Sequence, residues 1–446
     1  MEIGKLGESP AVKMIDRAKT WFAGVQRSTL ARNSVWMFLG YGVRIIVQAG
    51  YFILIARALG PREYGAFVGA TALIAIAGPF GGVGAANLLV KNVSRDRSLF
   101  AVYFGNALFL VLASGLLLVG GIVLIARWVL PPTIPLLLII LICLSDAIGQ
   151  RLNDVMEKCF QAVEQLRYTA IFSLLPYLLR MISAAIVFSV WHRASAMIWA
   201  WFYVGGMALS CAISVVVTIW KLGAPKLCLS RIPPELKEGF YFGAAQSAQT
   251  IYNDIDKTML ARLSTLDATG IYAAAYRVID VAITPMQSVR YAAYSNFFRS
   301  GERGIASSYA YARRLMPRLI GYSVLVFFGL YLLAPFFPLI IGAEFARTVQ
   351  AMRWLALLPL LKTIHFFFAD AVTGAGYQGL RSAAQVCVAI LNIGLNLWLI
   401  PLYSWRGAAW ASLASDGSLA IAMYAILMFI MAKEVRVTSG LTVGRV

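Results

Sequence analysis

The chain has 446 residues, of which 60% are hydrophobic and only 13% are charged, and its formal net charge is +19. A soluble domain usually carries about 25% charged residues to keep its surface hydrated. With so few charges the chain cannot solvate its own surface, which excludes a soluble enzyme, a disordered protein and a fibrous protein. The composition predicts an all-α polytopic membrane protein, for which the bilayer is the main solvent.

The excess of basic residues does not require a nucleic-acid partner in such a protein. It is better explained by cytoplasmic loops rich in Lys and Arg and by a polar interior that receives an anion. The five cysteines are scattered, without C-x-x-C or metal-ligand spacing. They therefore predict small apolar packing residues, with neither a disulfide framework nor a metal site.

Hydropathy along the chain predicts about twelve transmembrane helices, because each span needs about 20 mostly apolar residues. Turn sequences such as Gly60-Pro61, Pro131-Pro132 and Pro233-Pro234 separate them. The predicted spans are 34–57, 64–88, 100–128, 133–152, 169–191, 195–220, 240–264, 269–296, 317–341, 348–373, 381–402 and 406–432.

These spans divide the chain into five segments. They are a basic cytoplasmic N-terminal segment at 1–33, a six-helix bundle at 34–220, a cytoplasmic linker at 221–239, a second six-helix bundle at 240–432 and a cytoplasmic tail at 433–446. The N-terminal segment is compatible with an interfacial helix or with a disordered basic tail.

The distribution of basic residues supports this topology independently. With both termini in the cytoplasm, and with basic residues at the ends of spans counted in the adjoining segments, the inner segments carry 25 Lys and Arg residues and the outer segments carry 7. A missed or extra helix would invert the pattern beyond it, so the bias supports both the number of helices and their orientation.

A short internal repeat relates the two predicted bundles. The sequence from Ile55 to Phe67 shares with Leu260 to Tyr272 an Ala-Arg pair, a Gly eight residues after the Arg and an aromatic residue two positions later. Six predicted helices separate the copies, so both halves insert in the same orientation. This predicts a pseudo-two-fold axis along the membrane normal, with a substrate path between the halves.

Charged residues within the predicted spans indicate where a substrate binds. The seven cations there would each cost roughly 2.5–3.5 kcal/mol if they faced lipid. They are therefore expected to face the bundle interior, although Arg290 and Arg353 lie near helix ends and could reach the interface. The five that remain as candidate substrate-binding residues are Arg44, Arg180, Lys257, Arg277 and Lys362.

Two interpretations of these cations remain open. They could pair with interior acids, as Arg277 and Asp280 could at a spacing of three residues. However, Arg44 and Arg180 lie in a half whose one intramembrane acid is Asp146. A buried Arg without a carboxylate favours an anionic ligand such as phosphate, which predicts a cationic central cavity. The acids that are candidates for coupling to an ion are Asp254, Asp256, Asp280 and Asp370.

Sequence motifs for catalysis are missing. The chain contains no Walker A motif, no H-E-x-x-H and no G-x-S-x-G, and the predicted extramembrane segments are short. The sequence therefore predicts a protein that is not an enzyme and that needs no cofactor.

Three segments resemble the bacterial polysaccharide transporter family. They are the hairpin Leu54 to Phe67, the second hairpin with Asp256-Lys-Thr-Met-Leu-Ala-Arg-Leu and Gly270-Ile-Tyr-Ala-Ala-Ala-Tyr-Arg, and the stretch Leu391 to Ala409 with its two Asn residues, Ile-Pro and Gly-Ala-Ala. The family belongs to the multidrug/oligosaccharidyl-lipid/polysaccharide superfamily. One departure is Tyr403-Ser404, where Gly often follows the aromatic residue.

The resemblance implies a Wzx-type flippase with two six-helix bundles around a cationic lumen. Its expected substrate is an undecaprenyl-pyrophosphate-linked oligosaccharide for O-antigen, capsule or exopolysaccharide, moved from the cytoplasmic to the periplasmic leaflet of the bacterial inner membrane by alternating access coupled to H⁺ or Na⁺. Membrane lipid, a polysaccharide polymerase and chain-length machinery are the expected partners. The alternatives are a multidrug exporter of the same superfamily, a membrane polymerase or acyltransferase, and a structural subunit of an export complex.

Overall fold

The computed structural model describes residues 29–191, 193–231, 247, 250–251 and 253–443. Regular structure in these ranges is helical, without a strand. The predicted all-α, multi-pass architecture is therefore confirmed. The predicted interfacial helix lies almost wholly outside the described residues, and the predicted linker lies partly outside them.

The N-terminal half contains a long first helix that is bent into a hairpin at Gly60, where the backbone has φ +69° and the helical conformation is interrupted. Gly tolerates this left-handed region without a steric penalty. The helices of this half are Thr29–Ala77, Ala85–Val93, Phe100–Val129, Leu136–Cys143, Gln150–Ala162, Leu166–Val190 and Ala196–Leu222.

The C-terminal half begins, in its described part, with a helix at 253–263. It pairs with the next helix, and this second hairpin corresponds to the first in the internal repeat. The remaining helices are Leu266–Gly301, Ile305–Leu333, Phe337–Ile341, Thr348–Leu355, Leu358–Gly374, Gln378–Tyr403 and Trp405–Val443. The last one extends through the predicted cytoplasmic tail as far as the described chain reaches.

Nine helical ranges of the described chain are long and apolar enough to cross a membrane. The first, Gly42–Val93, contains both arms of the first hairpin. The helix Leu266–Gly301 does not meet the criterion, since it carries Arg277, Asp280 and Arg290. The total of twelve spans remains a prediction.

Two predicted spans are less regular than the sequence indicated. The span predicted at 64–88 is interrupted at 78–84, where Gly82 and Gly84 have positive φ. The span predicted at 133–152 continues to Ala162 and includes a π-helical turn, Leu144–Gly149. Broken helices of this kind often line binding sites in transporters.

The two halves have separate apolar cores that meet at the hairpins. One buried cluster is confined to the C-terminal half, from Leu260 to Ile430. Another holds most of the N-terminal half, but it also includes Ala261, Ala273 and Phe345. The two bundles therefore share an apolar contact at the hairpin end.

Paired glycines make this contact very close. A Cβ atom built on Gly65 would lie 1.8 Å from the carbonyl oxygen of Leu266, and one built on Gly270 would lie 1.9 Å from that of Pro61. Pro61 corresponds to Leu266, and Gly65 to Gly270, in the internal repeat. Each hairpin therefore offers the same surface to the other, as an isologous contact about a two-fold axis requires.

Polar contacts between the two halves also hold the bundles together at the end where the hairpins meet. The Arg57 guanidinium donates from Nε to the carbonyl oxygen of Ile340 at 2.6 Å and from its terminal nitrogen to that of Leu339 at 2.7 Å. Arg193 pairs with Glu344 at 2.6 Å. The bundles are thus joined at the hairpin end in this conformation.

We expect Gly270→Val to prevent this closure, because its side chain meets a backbone carbonyl that cannot rotate away. Overpacking of this kind costs about 1–3 kcal/mol. Spin labels at positions 62 and 267, one on each hairpin, should give a longer mean distance than in the parent protein. Gly120→Val is the matched control, since its Cβ would meet nothing within 4 Å. An unchanged distance in Gly270→Val would contradict the role of this contact.

Candidate functional site: a charged cavity between the bundles

A cavity of about 270 Å³ lies between the two bundles, below the hairpin contact. We call it the central cavity. The N-terminal half contributes an aromatic wall and the charges of Asp146 and Arg180. The C-terminal half contributes Lys257, Arg277 and other charged groups. The aromatic residues that line it are Tyr51, Phe52, Tyr64, Phe67, Tyr177 and Tyr203.

A second cavity, of about 330 Å³, lies within the N-terminal half and is called the N-bundle cavity. Arg44, Gln150 and Asn153 are among its lining residues. Asp146, Tyr177 and Arg180 line both cavities and so form the boundary between them. Three of the five candidate cations, Arg180, Lys257 and Arg277, therefore lie on the central cavity, and Arg44 lies on the adjoining one.

The charges that line these two cavities are mixed, which modifies the expectation of a cationic lumen. The cations are Arg44, Arg151, Arg180, Lys257 and Arg277, and the acids are Asp146, Asp154, Glu157, Asp254 and Asp280. Asp154 and Glu157 fell outside the predicted fourth span. They reach the cavity because that helix continues to Ala162.

Arg180 is paired across helices. Its guanidinium donates to Asp146 Oδ1 at 2.9 Å, and the Tyr203 hydroxyl donates to the same oxygen at 2.8 Å. The carbon at the centre of the guanidinium lies 4.3 Å from the centre of the Tyr203 ring. Burial of an arginine is tolerated here because a carboxylate and an aromatic face both compensate its charge.

Three candidate cations have no carboxylate within 4 Å among the described residues. Arg44 donates to the Tyr177 hydroxyl at 2.6 Å and lies over the ring of that residue. Lys362 is buried and reaches the Tyr276 hydroxyl at 3.3 Å. Arg277 lines the central cavity and does not pair with Asp280. Arg44 and Arg277 line a cavity and are therefore the best placed of the three to bind an anion, whereas Lys362 lines neither cavity.

Lys257 and its acids form a separate group on the second hairpin. Its ammonium lies 2.6 Å from Asp254 Oδ1 and 4.0 Å from Asp256 Oδ1. The same ammonium lies 4.3 Å from the centre of the Tyr276 ring. Lys257 is therefore largely neutralised by residues of its own helix.

The four candidate ion-coupling acids lie in different surroundings. Asp254 and Asp280 line the central cavity, and Asp280 also lines an adjoining apolar groove. Asp256 is buried and accepts from the hydroxyls of Tyr272 and Ser412. Asp254 and Asp280 therefore share the central cavity, whereas Asp256 is held by hydrogen bonds within the packed C-terminal half.

Asp370 lies apart from both cavities. Its carboxylate is fully buried between Arg290 at 2.6 Å and Arg381 at 3.2 Å. Its two oxygens are thus each engaged by an arginine, in an arrangement that suits a structural clamp better than ion binding.

An apolar groove adjoins the central cavity. It has a volume of about 340 Å³ and runs between the first hairpin and the helix Leu266–Gly301, where Ala49 and Val281 line it. Phe52, Arg277 and Asp280 line both the groove and the central cavity. We call it the lateral groove, since it joins a charged compartment to the apolar flank of the bundle.

Sequence comparison identifies the family. A sequence model described as "Polysaccharide biosynthesis protein" matches residues 30–289, which is more than half of the chain. The chain belongs to this family. A comparison with curated protein sequences finds no match. Membership of the polysaccharide biosynthesis family agrees with the resemblance inferred from the hairpin sequences.

Solved structures share the fold of this polysaccharide biosynthesis protein. A multidrug resistance MATE family transporter of the MOP superfamily matches in its inward-facing conformation, with a TM-score of 0.70, 15% identity and coverage of 91% of this chain and 98% of that one. An outward-facing MATE structure gives a TM-score of 0.58, with 17% identity and coverage of 91% and 96%. The lipid II flippase MurJ in an inward closed conformation gives 0.72, with 11% identity and coverage of 87% and 86%.

The fold and the family together establish a multi-pass membrane protein of the polysaccharide biosynthesis family. The structural relatives are transporters and flippases rather than enzymes. At these identities, the likeness concerns the fold and does not transfer a substrate.

Sequence reasoning missed the residues that hold the cations in place. Tyr203, which orients both Arg180 and Asp146, is one of 20 tyrosines and has no distinguishing sequence context. The π-helical turn that carries Asp146 likewise left no clear signal in the hydropathy pattern. The Gly78 to Gly84 stretch, by contrast, holds four glycines and a proline, which could have indicated the break in the second span.

We expect Arg180 and Arg277 to differ in their effect on stability. Arg180→Gln leaves Asp146 without its cation, and breaking a buried pair costs about 3–5 kcal/mol. Arg277→Gln breaks no ion pair within the described residues, so its cost should remain within about 0.5 kcal/mol. Thermal unfolding of both purified variants in detergent measures the difference, and equal losses of stability would contradict this assignment of pairs.

Proposed function

We propose that this protein is a flippase for lipid-linked oligosaccharides. Its substrate is an undecaprenyl-pyrophosphate-linked glycan used in O-antigen, capsule or exopolysaccharide assembly, which it moves from the cytoplasmic to the periplasmic leaflet of the bacterial inner membrane. The observation that carries the proposal is the junction of the central cavity with the lateral groove. Family membership supports a role in polysaccharide biosynthesis.

The junction fits an amphiphilic substrate. A lipid diphosphate has an anionic headgroup, which suits Arg277, and a prenyl chain, which suits the apolar groove beside it. Because Arg277 lines both spaces, it is placed where the headgroup and the chain join. Sugars would occupy the aromatic side of the cavity, while the rest of the chain remains in the bilayer.

The conformation described here supports loading from the cytoplasmic side. The hairpin end, which is periplasmic in the predicted topology, is closed by the Gly65 and Gly270 contacts. The chain also superposes better on an inward-facing than on an outward-facing MATE structure, with TM-scores of 0.70 and 0.58. Rocking of the two halves would then open the hairpin end and release the substrate.

Coupling to H⁺ or Na⁺ is part of the proposal. Asp280 is its best-placed carboxylate, because it lines the central cavity without an ion pair among the described residues. Asp254 is second, since it shares the cavity but is paired with Lys257. Asp256 and Asp370 are better assigned to structural roles by their hydrogen bonds and arginine clamp.

The structural relatives include both flippases and multidrug transporters, so a multidrug exporter is the main alternative to this proposal. MurJ is named as a lipid II flippase, whereas the MATE relatives are named as multidrug transporters. Because the charges that line the cavities are balanced, electrostatics alone does not exclude a cationic drug as the substrate. An experiment on function therefore needs a drug substrate as a second arm.

We expect Arg44→Gln and Arg277→Gln each to reduce translocation at least about tenfold, because each removes a cation that has no internal carboxylate partner. The assay uses proteoliposomes with a labelled glycan on undecaprenyl diphosphate, with and without H⁺ or Na⁺ gradients. A glycosidase added outside cleaves the glycan that has reached the outer leaflet. Arg353→Gln is the matched control, since Arg353 is exposed and contacts a backbone carbonyl.

Wild-type rates in both cavity variants would exclude a headgroup site at these cations. Transport of a cationic drug by the wild-type protein, without translocation of the lipid-linked glycan, would favour the multidrug exporter instead. Cleavage or polymerisation of the glycan by the purified protein would favour a membrane enzyme.

A further inference from the structure

Asp146 occupies an unusual position between the two cavities. It lies on the π-helical turn Leu144–Gly149 and lines both the N-bundle cavity and the central cavity. Turns of this type inside α-helices occur frequently at functional sites. Its side chain therefore stands where a ligand that passes between the cavities would meet it.

The hydrogen bonds of Asp146 are unevenly distributed over its carboxylate. Arg180 at 2.9 Å, Tyr203 at 2.8 Å and Ser145 at 3.3 Å all donate to Oδ1. Oδ2 receives no hydrogen bond from the described residues. The carboxylate thus neutralises Arg180 while one of its oxygens remains unengaged.

Arg180 also retains unused hydrogen-bonding capacity. A guanidinium has five N–H donors, and the Asp146 contact is its one hydrogen bond among the described residues. Its buried Nε has no acceptor there. The rings of Tyr203 and Tyr177 lie 4.3 and 5.8 Å from the guanidinium carbon and fix its plane. The guanidinium is therefore already oriented for an oxyanion that takes the place of the Asp146 carboxylate.

The pair differs from the other charge pair on the central cavity. Asp254 and Lys257 are three residues apart on one helix, so they can pair in any arrangement of the bundle. Asp146 and Arg180 lie on different helices, and their pairing depends on how those helices are placed. It is the pair that can respond to substrate binding by a change within the N-terminal half.

A flippase has to return without its substrate. A buried arginine without an anion is strongly unfavourable in a low-dielectric bundle. We propose that Asp146 is the internal counter-ion of Arg180 in the empty carrier: the anionic headgroup displaces it, and it pairs with Arg180 again when the headgroup leaves. This inference rests on the proposed flippase function and adds to it the residue that permits the return step.

Asp146→Asn tests the displacement directly. It keeps the size and hydrogen-bonding oxygen of the side chain but removes the competing charge. Pyrophosphate, titrated calorimetrically into purified protein, should bind about tenfold more tightly than to wild type. Asp96→Asn is the control, because Asp96 is an exposed carboxylate that bonds to Ser98 and lines neither cavity. Its affinity should change less than about twofold.

Transport gives the second readout. In proteoliposomes, Asp146→Asn should retain exchange of labelled for unlabelled lipid-linked glycan across the two leaflets, which needs no empty return. Net translocation requires the empty carrier to return, so its rate in Asp146→Asn should fall at least about tenfold relative to the rate of exchange. Should the single variant fail to fold, the double variant Asp146→Asn with Arg180→Gln removes both charges. It is expected to bind pyrophosphate more weakly than wild type and to restore the wild-type ratio of exchange to net movement.

Unchanged or weaker pyrophosphate binding by a folded Asp146→Asn would overturn the inference, and so would an equal loss of exchange and net translocation. If Asp146→Asn alone does not fold, a ratio of exchange to net translocation in the double variant that differs from the wild-type ratio would also overturn the inference. Failure of the wild-type protein to move any lipid-linked glycan would instead count against the flippase itself. The binding titration would still decide whether Asp146 competes with an anion for Arg180.

Discussion

A charge inside a lipid-embedded bundle requires an opposite charge, a hydrogen-bond partner or a polar cavity, and this requirement organises the structure. Arg290 meets it through Asp370, which also binds Arg381. Arg180 meets it through Asp146. Arg277 meets it by facing the central cavity. Helices that carry such groups must turn these faces inward, and the cavity between the bundles follows from that orientation.

The internal repeat generates a symmetric closure but an asymmetric cavity. Gly65 and Gly270 make equivalent contacts at the hairpin end. Below them, positions related by the repeat line the central cavity from opposite sides with different chemistry. Phe52 corresponds to Lys257, and Ala72 to Arg277. The fold thus retains the two-fold geometry that the proposed rocking requires. Different residues at positions related by the repeat place an aromatic wall opposite a charged one.

Much of the fold could be predicted from the sequence because its signals are local. Apolar length located the helices, and the Gly-Pro turn at Gly60 located the first hairpin. The ion pairs were less predictable, since they depend on the rotation of helices that are far apart in sequence. Asp146 and Arg180 are 34 positions apart and meet only after folding. Asp154 lies beyond the fourth predicted span because the hydropathy of its helix falls before the helix ends.

The structure differs from the sequence-based prediction more at the site than in the fold. Instead of a cationic lumen, the structure has two adjoining cavities with balanced charges, in which Arg44 and Arg277 are the cations without a carboxylate partner among the described residues. Lys362 also has no carboxylate partner there, but it lines neither cavity. In the proposed flippase, selectivity for an anion would depend on which charges are already neutralised within the protein, rather than on the net charge of the lining.

The central claim is that the headgroup and the prenyl chain occupy adjacent compartments, and photolabelling tests it most directly. A polyprenyl diphosphate with a photoreactive group near the head of its chain is bound to the wild-type protein, and the labelled residues are mapped by mass spectrometry. The account predicts labels on lateral-groove residues such as Ile45, Ala49 and Val281, which excess unlabelled polyprenyl diphosphate prevents. Labels confined to lipid-facing positions such as Leu117 and Leu124, without competition, would contradict it.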